Sequence, residues 1–104
     1  MSPDLLEREH TLRTAVARFD ELRTQDSLAS DDDPGGATAL TGEEALEMLA
    51  LGELIARKAG YGRQLGVRSA RRAGASWTDI GRALGSSKQA AWETHNRWLD
   101  ERRP

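Results

Sequence analysis

The stretch that most restricts the fold is "SWTDIGRALGSSKQAAWETHNRW", residues 76–98, because it ends one helix and opens another within a few residues. Ser76 is an N-cap residue, and Asp79 three positions on completes a capping box in which Asp replaces the commoner Glu. Trp77, Ile80, Gly81 and Leu84 fall at i, i+3, i+4 and i+7, one apolar face of a two-turn helix. Gly85 stands where a left-handed residue ends such a helix, and Ser87 caps a second helix through "KQAAWETHNRWLDERR". Gly81 costs about 1 kcal/mol of helix propensity relative to alanine. Either two helices cross closely there, or the glycine is ordinary variation in propensity.

The rest of the chain is helical in pattern too. Residues 3–25 read as one amphipathic helix with Ser2 as N-cap and Pro3 in the tolerated first position. Leu5, Leu12 and Phe19 recur every seven residues, beside Ala15, Val16 and Leu22, a narrow stripe suited to one partner helix. "DSLASDDDPGGATAL", residues 26–40, joins an acidic triplet to Pro34, Gly35 and Gly36 and reads as a flexible acidic linker. Its adjacent carboxylates lack the alternating spacing of a calcium loop. Thr41 and Glu44 form a capping box for a helix with a wide apolar face of Leu46, Met48, Leu49, Leu51, Leu54 and Ile55. Glycines at 60, 62, 66 and 74 follow without the Gly-Lys-Ser/Thr ending of a phosphate loop. No strand pattern occurs, so the expected fold is all-α. Three regions are expected: an N-terminal amphipathic helix (1–25), the linker (26–40), and a helix-turn-helix domain (41–104), with dimerisation through the first helix or, as a rival, through the apolar surplus of helix 43–58.

Charge divides the chain. Residues 1–56 hold 13 Asp and Glu against 4 Lys and Arg, whereas residues 57–104 hold 4 against 11. A basic half beside an acidic half points to a polyanion for the first and a different partner for the second. With no cysteine, disulfides and thiolate metal sites are excluded, and His10 and His95 stand too far apart in sequence to suggest a metal cluster. No cofactor is implied. Neither a signal peptide nor a run of about 20 apolar residues is present, so a cytoplasmic, nucleoid-associated protein is expected.

On the second helix of the 76–98 stretch, Ala91, Thr94, His95 and Trp98 are expected to face inward. Gln89, Trp92, Glu93 and Asn96 form another stripe, joined by Lys88 near its start. Their chemistry suits the major groove. Gln89 and Asn96 match an adenine edge, Glu93 accepts from a cytosine amino group, Lys88 suits guanine or phosphate, and Trp92 offers contact to a thymine methyl. Ser86, Ser87 and the helix N-terminus suit a phosphate. Arg57, Lys58, Arg63, Arg68, Arg71, Arg72 and Arg82 are the further candidate phosphate contacts. The plain alternative is that Trp92 packs on the preceding long helix and the cations form a solvated face.

"GASWTDIGRALGSSKQAAW" resembles the helix-turn-helix of small actinobacterial DNA-binding proteins, with Gly-x-Ser-Trp-x-x-Ile-Gly before Leu-Gly-x-Ser-x-Gln-Ala-Ala. It is broadly similar to sigma-factor region 4-type domains as well. The resemblance covers about residues 70–98 and implies that Ser87, Lys88, Gln89 and Trp92 open a recognition helix. The expected function is therefore binding of double-stranded DNA as a homodimeric transcriptional regulator. The alternative is a protein–protein adaptor on the same scaffold, its acidic half docking a basic partner. A third reading has the acidic arm cover the basic face. No nucleophile–base pair or carboxylate pair suggests an enzyme.

Overall fold

The computed structural model describes residues 1–29, 36 and 39–103. Among these residues there are six helices and no strand: α1 (Pro3–Glu9), α2 (Leu12–Leu28), α3 (Gly42–Tyr61), α4 (Arg63–Arg72), α5 (Trp77–Leu84) and α6 (Lys88–Glu101). The fold is all-α. The chain divides into two compact units, Met1–Gly60 and Tyr61–Pro104. The boundary lies in the Gly60–Gly62 segment rather than at residue 41, so the long helix α3 belongs with the N-terminal helices.

The N-terminal unit corrects the single helix expected over 3–25. The helix stops at His10, whose backbone is extended (φ −124°, ψ 139°), and restarts from a new N-cap at Thr11. The Thr14 amide donates to Thr11 Oγ1 at 3.2 Å, and the Thr11 amide donates to Thr14 Oγ1 at 3.0 Å. Short hydroxyl side chains thus offer the backbone partners that an unbroken helix would have supplied. Packing explains the gain. Leu6 and Ala15 are both buried in one core, yet nine residues is two and a half turns, which would put them on opposite faces of a continuous helix. Breaking the chain turns both inward, while Leu5 and Leu12 of the seven-residue stripe stay exposed.

Leu22, Leu51 and Leu54 complete that core with Ala50, and Phe19, Leu40, Met48 and Ile55 pack against it. Arg18 ties α2 to α3: its Nε and Nη2 donate to the two carboxylate oxygens of Glu47 at 3.0 and 2.9 Å. That hydrogen-bonded pairing holds the Glu47 carboxyl below its usual value and raises the already high Arg18 value. Asp26, Ser27 and Leu28 belong to α2 rather than to the linker. Residues 30–35, 37 and 38, which include the acidic triplet and Pro34, lie outside the described residues. The Thr41–Glu44 capping box forms, with the Glu44 amide 3.1 Å from Thr41 Oγ1 and the Thr41 amide 3.0 Å from Glu44 Oε1.

The C-terminal unit is built on a small core of Val67, Ile80 and Ala91, lined by Ala70, Ala75 and Trp77. The α4 end turns at Gly74 (φ +97°), where the Ala75 amide reaches back to the Ala70 carbonyl at 2.9 Å and the Gly74 amide to Arg71 at 3.0 Å. Only a glycine adopts that backbone without strain. No helix of the described residues is long and apolar enough to cross a membrane.

Candidate nucleic-acid interface

The joint between α5 and α6 forms from local signals. Ser76 Oγ accepts the Asp79 amide at 3.1 Å, starting α5. Gly85 ends it in the left-handed conformation (φ +67°). There the Ser86 amide donates to the Gly81 carbonyl at 2.9 Å and the Gly85 amide to Arg82 at 3.1 Å. These two bonds are the pair that defines a Schellman stop. Ser87 Oγ then accepts the Ala90 amide at 3.0 Å and opens α6.

Gly81 decides how tightly the joint closes. A Cβ at this position would sit 3.1 Å from each of three backbone atoms: the Lys88 nitrogen, the Ser86 oxygen and the Ser87 carbonyl carbon. The glycine is there for close approach, not as propensity variation.

On α6, Ala91 and His95 are buried and Trp98 is half-buried, whereas Thr94 is exposed instead of facing the core. Thr94 lines a shallow cleft with Arg63, Gln64, Leu84 and Ser86. The five expected base-reading residues share an arc of roughly 140° on α6 at 3.6 residues per turn. Lys88, Gln89, Trp92 and Glu93 are exposed and Asn96 is half-buried. Trp92 keeps 45% of its surface and does not bury itself against a neighbouring helix. Gln89 Nε2 donates to Glu93 Oε1 at 2.9 Å.

The cations divide. Arg63, Arg72 and Arg82 are exposed on α4 and α5. Arg71 is exposed but anchored: it donates to the Ala75 carbonyl at 2.9 Å and lies 5.1 Å over the Trp77 ring. Arg68 is half-buried, 5.8 Å from the Trp98 ring. Arg57 departs from the expectation of a phosphate contact. It belongs to the N-terminal unit, where Nη1 pairs with Asp4 at 2.6 Å and Glu7 at 3.2 Å. Lys58, half-buried in α3, belongs to that unit too. Sequence order alone places these two cations in the basic half. Ser86 and Ser87 remain exposed at the turn.

A pair that sequence reasoning misses supports α6 from behind. His95, 5% exposed, places Nδ1 2.9 Å from Gln64 Oε1. The two polar atoms satisfy each other inside the unit. The ring stacks on Trp98 at 5.4 Å and tilts against Trp77 at 5.6 Å. Burial pushes its pKa below 6.5, and the nearby Arg68 adds to the effect. Arg102 lies 4.3 Å from the Trp98 ring and extends the stack. Gln64 is separated from His95 by 31 positions, so no local signal could reveal the pair.

No family model, curated protein or solved structure matches the chain.

Proposed function

We propose that residues 61–104 form a helix-turn-helix module that binds double-stranded DNA, with α6 in the major groove, and that the protein acts as a transcriptional regulator. The observation that carries this reading is the α5–α6 joint. Gly81 lets two helices meet at backbone distance, and the second carries an exposed, polar and hydrogen-bonding face from its first turn. Residues 61–104 hold nine Lys and Arg against four Asp and Glu, which suits a polyanion. Lys88, Gln89, Trp92, Glu93 and Asn96 would meet base edges. Arg63, Arg72, Arg82, Ser86 and Ser87, with the α6 N-terminus, would hold phosphates. One small module makes few contacts, so a homodimer on two half-sites is part of the proposal.

Selection of bound duplexes from a random pool tests it, followed by affinities at several salt concentrations. A regulator gives an enriched site and a log–log salt slope near −0.9 for each phosphate neutralised. No binding at low salt would sink the reading.

A second reading rests on Leu46 and Leu49 of α3, which are 61% and 65% exposed in an acidic unit. They suit a protein partner, in line with an adaptor that keeps the same scaffold. Leu46→Glu with Leu49→Glu in the full chain separates the two: an adaptor loses its partner while DNA affinity is untouched.

A further inference from the structure

The Gln89–Glu93 hydrogen bond bears on which DNA the protein selects. Glu93 is an acidic residue on the face proposed to meet a polyanion. A carboxylate there repels phosphates, so in a sequence-tolerant binder it is only a cost. Its partner is informative. Arg97, one turn further along α6, makes no ion pair with Glu93 among the described residues, and the carboxylate instead accepts from the Gln89 amide at 2.9 Å.

That bond commits specific atoms. A Gln amide has two N–H donors and one carbonyl acceptor. With one N–H given to Glu93, a single donor and a single acceptor remain on Gln89. This is the complement of adenine, which offers N7 as acceptor and the N6 amino group as donor. Glu93 keeps only acceptors, the complement of the cytosine N4 amino group. Guanine and thymine turn acceptors (O6 and N7, or O4) toward the groove, so a carboxylate rejects them there.

The spacing joins the two readings. The bond holds the two headgroups side by side, within reach of neighbouring base pairs stacked about 3.4 Å apart. We infer that Gln89 and Glu93 act as one unit on neighbouring base pairs, taking an adenine edge on one and a cytosine edge on the next, with each side chain holding the other in its reading orientation. The inference rests on the proposed DNA reading and adds the class of sequence that the site takes.

The test uses the full chain and the duplexes enriched by selection. Affinities are measured for the wild type, Gln89→Ala, Glu93→Ala and the double variant, on the selected site and on every base change at the two pairs. Both residues are exposed on α6 and alanine is the best helix former, so far-ultraviolet circular dichroism should be unchanged. The expected wild-type site places adenine and cytosine edges on adjacent pairs, each discriminated about tenfold. Glu93→Ala should relax the cytosine position and also weaken the adenine preference several-fold, and the double variant should lose less than the product of the single losses.

Independent relaxation, each variant affecting one position only, would overturn the coupling, as would a guanine edge facing Glu93. Salt-sensitive binding with no enriched step would overturn it while DNA binding survived. Absence of binding at low salt would remove both.

Discussion

Replacing Gly81 by alanine tests the joint on which the functional reading depends. In an open helical position this change stabilises by about 1 kcal/mol, because alanine is the better helix former. At Gly81 the added Cβ would meet three atoms at 3.1 Å, and all three are backbone. A flexible side chain would swing away, but these atoms belong to the turn whose Ser86 amide is bonded to the Gly81 carbonyl at 2.9 Å. Moving them apart strains that bond and the Ser87 cap. Overpacking of this kind costs about 1–3 kcal/mol, and the rigid neighbours favour the upper part of that range. After the propensity gain, a net loss of about 1–2 kcal/mol is expected, which is roughly 10–20 °C in the melting midpoint of so small a unit. Gly66→Ala is the control: nothing lies within 4 Å of its Cβ position, so it should raise stability by about 1 kcal/mol. All three tryptophans, Trp77, Trp92 and Trp98, lie in residues 61–104, so indole fluorescence during urea unfolding reports on this unit alone. Equal or greater stability of Gly81→Ala, with Gly66→Ala behaving as expected, would refute the close-approach account.

Other substitutions probe separate parts of the fold. Gly85→Ala forces a side chain into a left-handed backbone (φ +67°) and should cost the C-terminal unit about 1 kcal/mol by the same fluorescence assay. His95 is held neutral by burial, so the unfolded chain binds its proton first as pH falls. Stability of the C-terminal unit should therefore decline as pH drops below about 6.5 and level off below the folded-state value, and His95→Gln should flatten that slope. Glu47 acts in the same direction at lower pH. Its carboxyl is more acidic folded than unfolded, so the Arg18 pairing contributes above about 4.5 and is lost as pH falls through the folded value. Glu47→Gln should lower the midpoint of the N-terminal unit at neutral pH, read by far-ultraviolet circular dichroism, and make it less sensitive to acid.

Features that act over three or four residues are legible in the chain alone. Ser76, Gly85 and Ser87 bond to amides or carbonyls within a single turn, so the ends of α5 and α6 follow from the order of their residues. The Thr41–Glu44 box is of the same kind. The arc of Lys88, Gln89, Trp92, Glu93 and Asn96 also follows from helical period. Thr11 and Thr14 are equally local, but the seven-residue recurrence of Leu5, Leu12 and Phe19 points to a continuous helix. Packing overrides that recurrence, because only a broken helix buries Leu6 and Ala15 in one core. Packing also sets Arg57 against Asp4 and Glu7 across about 50 positions, brings Gln64 to His95, and makes Gly81 a requirement of backbone approach. Such contacts depend on which surfaces meet after the helices form. A propensity or period describes a helix one face at a time, and it carries no record of the face packed against it.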